Sequence, residues 1–107
     1  MAKSPKQMRK KTEANIQNEI IIWCNLNRPD VVLIPVVNEA AYNNRNQTIL
    51  KGTSDLIAVL KDKVVFIEVK HGYNKQTKPQ IVFERRVNAL NHEYHIVKSV
   101  EEFKKCI

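Results

Sequence analysis

The sequence has little with which to cross-link or anchor itself. Of its 107 residues only two are cysteine, Cys24 and Cys106. They form no C-x-x-C pair and no spacing suited to zinc. They are therefore expected to be reduced thiols of an intracellular (cytoplasmic) protein, with Cys24 a small apolar filler on a helix. No apolar run is long enough to span a bilayer, so no membrane partner is expected. The opening residues, Met1-Ala2-Lys3-Ser4-Pro5-Lys6, carry positive charge but no apolar stretch follows, so no secretory signal is expected. Internal repeats and low-complexity tracts are absent. Only two glycines occur, Gly52 and Gly72. Acidic residues are outnumbered, 11 against 18 lysines and arginines, which leaves a formal net charge of +7. A basic surface can serve solubility alone, but in a small domain it points equally to a polyanionic partner such as nucleic acid.

What is present suffices for one modest hydrophobic core and no second one. Residues 1–11 form a basic arm with Lys3, Lys6, Arg9, Lys10 and Lys11, either solvated or in contact with phosphates. Residues 12–107 are expected to form a single domain. Thr12 to Asn27 predicts a helix with Thr12 as N-cap and Ile16, Ile20, Trp23 and Asn27 on one face. Arg28-Pro29-Asp30 should end it. Val31 to Val37 predicts a strand that is apolar on both faces, as if covered; Pro35 confines it to an edge or to a bulge. Asn38 to Lys51 is a long polar loop whose Tyr42, Arg45 and Lys51 could meet a nucleic-acid backbone. Asp55 to Leu60 and Lys63 to Lys70 predict two strands joined at Lys61-Asp62. Thr77 to Leu90 predicts a second helix, opened by a Thr77–Gln80 capping box and stopped at Asn91 in a left-handed conformation. Tyr94 to Val97 predicts a strand, and Ser99 to Glu102 opens a last short helix. The order is αβββαβα, an α/β pattern with a mixed sheet flanked by helices. The strand–helix–strand crossover at its end should be parallel and right-handed.

The chemistry concentrates in Gly52-Thr53-Ser54-Asp55 and Phe66-Ile67-Glu68-Val69-Lys70. Alternation along a strand puts Glu68 and Lys70 on one face at the end of an apolar run. With a two-residue turn at Lys61-Asp62, Leu60 pairs with Lys63 and Asp55 falls opposite Glu68. Directly paired residues share a face at about 4.5–5.5 Å between Cβ atoms. A three-residue turn would instead send Asp55 to the other face. Two carboxylates that close repel one another unless a cation lies between them, and hard oxygen ligands suit magnesium. Lys70 could then orient or deprotonate a water, or stabilise the charge of a pentavalent phosphorus. The plain alternative is a solvated Glu–Lys pair. Glu19 projects within the apolar stripe of the first helix, where a glutamate wants a partner; otherwise it lies at the stripe's edge. Gln80 either closes its capping box or faces Lys70. Trp23 is read as core, and His71, His92 and His95 as structural or loop residues.

The ordered set Glu19, Gly52-Thr53-Ser54-Asp55, Glu68-Val69-Lys70 and Gln80, with the ending Tyr94-His95-Ile96-Val97-Lys98-Ser99, resembles the VRR-NUC domain, a branch of the PD-(D/E)XK nucleases. The likeness runs from about Glu13 to the C-terminus. Ser54 stands where that family usually has proline, which would stiffen the chain before the aspartate. The resemblance implies a restriction-endonuclease-like core and a magnesium or manganese ion held by Asp55, Glu68 and the carbonyl of Val69. Lys70 would stand beside the nucleophilic water, and Glu19 and Gln80 would complete the site. It further implies a homodimer acting on branched DNA such as four-way (Holliday) junctions, as short stand-alone phage members do. Arg45, Lys51, Lys10 and Lys11 would grip phosphates. The expected activity is metal-dependent endonucleolytic cleavage of DNA. The competing functions are a DNA-binding module without catalysis and a restriction-like nuclease reading a duplex sequence.

Overall fold

The computed structural model describes residues 12–36 and 52–107. The elements are α1 (Glu13–Asn27), β1 (Val32–Pro35), β2 (Leu56–Val59), β3 (Val64–Val69), α2 (Lys78–Ala89), β4 (Glu93–Val97) and α3 (Val100–Lys104). The order matches the αβββαβα pattern. One sheet runs β1-β2-β3-β4. The first two pairings are antiparallel and β3 pairs with β4 in parallel, with α2 in the crossover. Basic-arm residues Lys10 and Lys11, loop residues Arg45 and Lys51, and the end of the predicted first strand at Val37 lie outside the described residues. Among the described residues no helix is long and apolar enough to cross a membrane.

The helix ends follow local chemistry. Thr12 and Asn15 cap α1 reciprocally, side chain to backbone N–H in each direction. Arg28 stops α1, and its guanidinium forms a two-pronged bond with Asp30 at 2.9 Å. Thr77 and Gln80 close the predicted capping box of α2. Asn91 takes the expected positive φ, 65°. At α3 the expected box is half met. Ser99 accepts from the Glu102 N–H, while the Glu102 carboxylate accepts from the N–H of Lys98, one residue earlier than the motif requires.

The two sheet faces carry different loads. On one, Leu56, Ala58, Val65, Ile67, Val69 and Val97 join Ile16, Ile20 and Cys24 of α1 and Phe103 of α3 in the main core. Both cysteines are free and buried there. On the other face α2 brings Phe83 and Val87 onto Phe66 and Tyr94. The buried line of α1 is Ile16-Ile20-Cys24, so the expected face through Trp23 and Asn27 is rotated by about one residue. Ile20-Ile21-Ile22-Trp23-Cys24 is apolar all the way round, and such a run does not disclose which side faces inward. Trp23 is half-buried and meets Phe103 edge-to-face, 6.2 Å between ring centroids.

The first strand departs from expectation. It is an edge strand, and Pro35 is its last residue, where a missing N–H costs least. It is not covered on both faces: Val32 is 59% and Ile34 43% exposed. Their neighbour across the pairing, Val59, is exposed too. Among the described residues α2 covers this sheet face over β3 and β4 and does not reach this apolar strip.

Gly52 sets how closely the approach to β2 can cross the start of α2. It has φ 80°, and a Cβ there would run into the carbonyl of Pro79 and stand 2.7 Å from the N of Gln80. Gly52→Ala is therefore expected to cost about 1–3 kcal/mol, from the left-handed backbone and the collision together. Urea denaturation checks this. A loss of under about 0.5 kcal/mol would mean that the first turn of α2 yields freely.

Candidate active site

The turn at Lys61-Asp62 has two residues: the N–H of Leu60 donates to the carbonyl of Lys63. The register Leu56↔Ile67 and Val59↔Val64 continues outward to place Asp55 opposite Glu68. Asp55 is also held from the other side, because its carbonyl accepts from the N–H of Val36 at 2.8 Å. Ser54, where proline would have supplied stiffness, is buried and donates from Oγ to the carbonyl of Leu56 at 3.0 Å. That bond replaces a ring restraint with a polar one.

Glu68 is 2% exposed and Lys70 is 6% exposed. Lys70 Nζ stands 3.7 Å from Glu68 Oε2. The same oxygen accepts from Gln80 Nε2 at 2.9 Å. Gln80 Oε1 meanwhile accepts from the N–H of Thr77 at 2.8 Å. The two roles considered for Gln80 are thus filled together, one by each end of its amide. Asp55 Oδ2 accepts from the N–H of Val69 at 2.7 Å, so the residue between Glu68 and Lys70 orients the aspartate through its backbone.

Electrostatically the site is overloaded. Burial, with the charge of Asp55 behind it, pushes the Glu68 carboxyl up to about 8, and Lys70 pulls it back only in part. Burial also raises Asp55, against the pull of the Val69 N–H. Glu68 Oε1 is buried with no hydrogen-bond partner among the described residues. A proton held on Glu68 lets that carboxyl donate to Asp55; with both groups ionised, the oxygen is left facing negative charge.

Glu19 takes the outer of its two expected placements. It lies on the exposed side of α1, not within a buried stripe. The α1 glutamate whose charge reaches both Asp55 and Glu68 is Glu13, the first residue of the helix. Glu13 accepts from Asn74 Nδ2 at 2.7 Å. No local pattern marked Glu13, because the residue that fixes it is 61 positions away in sequence. Further along this face the Tyr94 hydroxyl accepts from Gln76 Nε2 at 3.4 Å. Burial pushes that phenol up to about 12, helped by Glu68, Glu84 and Asp55.

The donor set fits a hard divalent cation. Asp55 and Glu68 offer carboxylate oxygens, one of them without a partner, and cation binding would relieve their mutual repulsion. Among the described residues no three His, Cys, Asp or Glu side chains converge closely enough to enclose an ion. Two carboxylates suit an ion that keeps several of its own waters, as magnesium does.

A mixed sheet of this order, flanked by helices, with an acidic pair and a lysine at the end of its central hairpin, is compatible with the restriction-endonuclease-like α/β fold. A solved structure described as "VRR_NUC domain" shares it, with a TM-score of 0.64 and 18% identity over 89% of this chain and 94% of that one. No family model matches the sequence, and no curated protein matches it significantly. At 18% identity the likeness carries the fold, and the chemistry rests on the side chains described above.

The raised carboxyls give stability a definite pH dependence. A carboxyl that keeps its proton in the folded chain up to about 8, and loses it near the ordinary value when unfolded, stabilises the fold at low pH. That contribution fades as pH rises from about 4.5 through about 8. Without divalent ions the melting temperature should therefore fall across this window, and Glu68→Gln should flatten the profile. Thermal melts in a chelating buffer check it. A melting temperature that rises steadily toward pH 8 in the unsubstituted protein would contradict the assignment.

Proposed function

We propose that this chain is a magnesium- or manganese-dependent endodeoxyribonuclease that hydrolyses phosphodiester bonds of branched DNA, such as four-way junctions, as a homodimer. The observation that carries the reading is the burial of Glu68 beside Asp55, with one oxygen unpartnered among the described residues and the Lys70 amine 3.7 Å from the other. A fold that needed only stability would not keep two facing acids in that position. Asp55, Glu68 and the Val69 carbonyl would hold the ion. When bound, it would neutralise the acidic pair and activate water and phosphoryl oxygen for an in-line displacement.

The chain's own groups do the rest. Gln80 holds the Glu68 carboxylate in place from the first turn of α2. The N–H of Val69 fixes the rotation of Asp55. Lys70 presents a desolvated amine on the same side as Glu68, placed to orient or deprotonate a water or to meet charge developing on phosphorus. Glu13, whose charge reaches both Asp55 and Glu68, would share the helical-acid role with Glu19.

The net charge of +7 supports a polyanionic substrate. The likeness to a VRR_NUC domain structure supports nuclease chemistry. The open apolar strip of Val32, Ile34 and Val59 supports pairing of two copies, which would present two cutting centres to two strands. Free buried thiols at Cys24 and Cys106 support a reducing, intracellular setting.

Magnesium-dependent nicking of a labelled four-way junction tests the reading. Asp55→Asn, Glu68→Gln and Lys70→Ala should each lower the rate by about 10²–10⁴-fold while junction binding persists. Binding without nicking in any divalent metal would reduce the protein to a DNA-binding module. Preferential cutting of linear duplex at one sequence would favour the restriction-like alternative.

A further inference from the structure

The segment that leaves the site, His71 to Thr77, is tied down in three places. Lys98 Nζ donates to the carbonyl of Gly72 at 2.8 Å. Asn74 Nδ2 donates to Glu13, the acid that feels the Asp55–Glu68 pair. Gln76 Nε2 donates to Glu84 at 3.0 Å and to the Tyr94 hydroxyl. Within it the N–H of Asn74 donates to the carbonyl of His71, closing a turn whose corner is Gly72 at φ 60°. The residue at the tip of this fastened turn is Tyr73, and it is 98% exposed. An anchored backbone thus presents an aromatic ring to solvent three positions beyond Lys70.

Basic residues dominate the chain on either side of that ring, and the two acids near it, Glu13 and Glu84, are held by the segment's own amides. From Val69 to Phe83 the sequence contains Lys70, Lys75 and Lys78 and no acidic residue. Lys75 and Lys78 are exposed, and Lys98 adds its charge at the base of the turn. Exposed cations that can track a phosphate backbone, around a ring with both faces free, are the elements of a base-stacking platform. In a continuous duplex every base is already stacked on its neighbours. Only DNA with unstacked bases, at a branch, nick or gap, offers a face to Tyr73.

We infer that Tyr73 stacks on an unstacked nucleobase next to the scissile phosphate, and so biases the enzyme toward discontinuous DNA. The inference rests on the nuclease reading for its substrate, but it concerns binding and is tested without cutting. One unpaired base stacked on one aromatic side chain changes affinity by roughly tenfold or more. Tyr73 would contribute little on intact duplex, where lysine–phosphate contacts dominate.

The experiment uses the full chain in calcium, a cation taken by oxygen ligands. The probes are a four-way junction and a nicked duplex with 2-aminopurine at the base flanking the break, beside a continuous duplex of the same sequence. The wild type should change the 2-aminopurine emission on the junction and the nick. Tyr73→Ala should lose that change and roughly tenfold in affinity for these two, with continuous duplex altered by less than about twofold. Tyr73→Phe and Tyr73→Trp should retain both signals, since the ring and not the hydroxyl carries the contact. Equal binding by Tyr73→Ala and wild type would overturn the inference. So would a Tyr73→Phe variant as weak as Tyr73→Ala, or a Tyr73→Ala variant whose only defect is a smaller sedimenting species, which would make the ring a contact between copies. A wild type that shows the stacking signal yet cuts nothing with any divalent metal would sink the nuclease reading and leave this one standing.

Discussion

Two carboxyl groups are held against each other at the end of an apolar strand pair, and the rest of the structure is arranged around that repulsion. Water could solvate them separately; the sheet does not permit it, because the hairpin register brings positions 55 and 68 to the same level. Every nearby polar group then takes part in managing the charge. Lys70 and Gln80 both meet the same Glu68 oxygen, and the N–H of Val69 turns Asp55. Among the described residues one oxygen of Glu68 is still left over. A buried carboxyl with an unmet lone pair is costly, and proteins keep such arrangements where a ligand completes them.

The scaffold that enforces this is small, and its division of labour is clear. The face covered by α1 and α3 holds the main apolar core and supplies the rigidity. The opposite face carries the acids and, among the described residues, is closed at β3 and β4 by the aromatic group of Phe66, Phe83 and Tyr94. The closest approach is local: Gly52 leaves no room for a side chain against the first turn of α2, the turn whose Gln80 reaches the carboxylate. Site and core thus occupy different sides of one sheet, and changes at the site need not empty the core.

Much of this was legible in the sequence, for identifiable reasons. The hairpin could be read because the turn length fixes the pairing and the pairing fixes the face, and the two-residue turn at Lys61-Asp62 settled both. The helix starts were legible because Thr12 and Thr77 act through neighbours three residues on. The orientation of α1 was not, since its middle turn is apolar on every side and periodicity carries no information there. Glu13 was hidden for a different reason: what marks it is Asn74, 61 positions away in sequence. Exposure of Val32 and Ile34 was hidden as well, because a run of valine and isoleucine has the same composition in a covered strand and an open edge.

The double engagement of Gln80 sets a length requirement on that side chain. Its carbonyl end reaches back to Thr77 while its amino end reaches across to Glu68. Asparagine is one methylene too short to span both, and glutamate would put a third negative group where a donor is needed. The start of α2 and the ionisation of the acidic pair therefore share a single amide. Whatever neutralises the pair would also be felt at the opening turn of the helix, tightening or slackening the hydrogen bond that begins it.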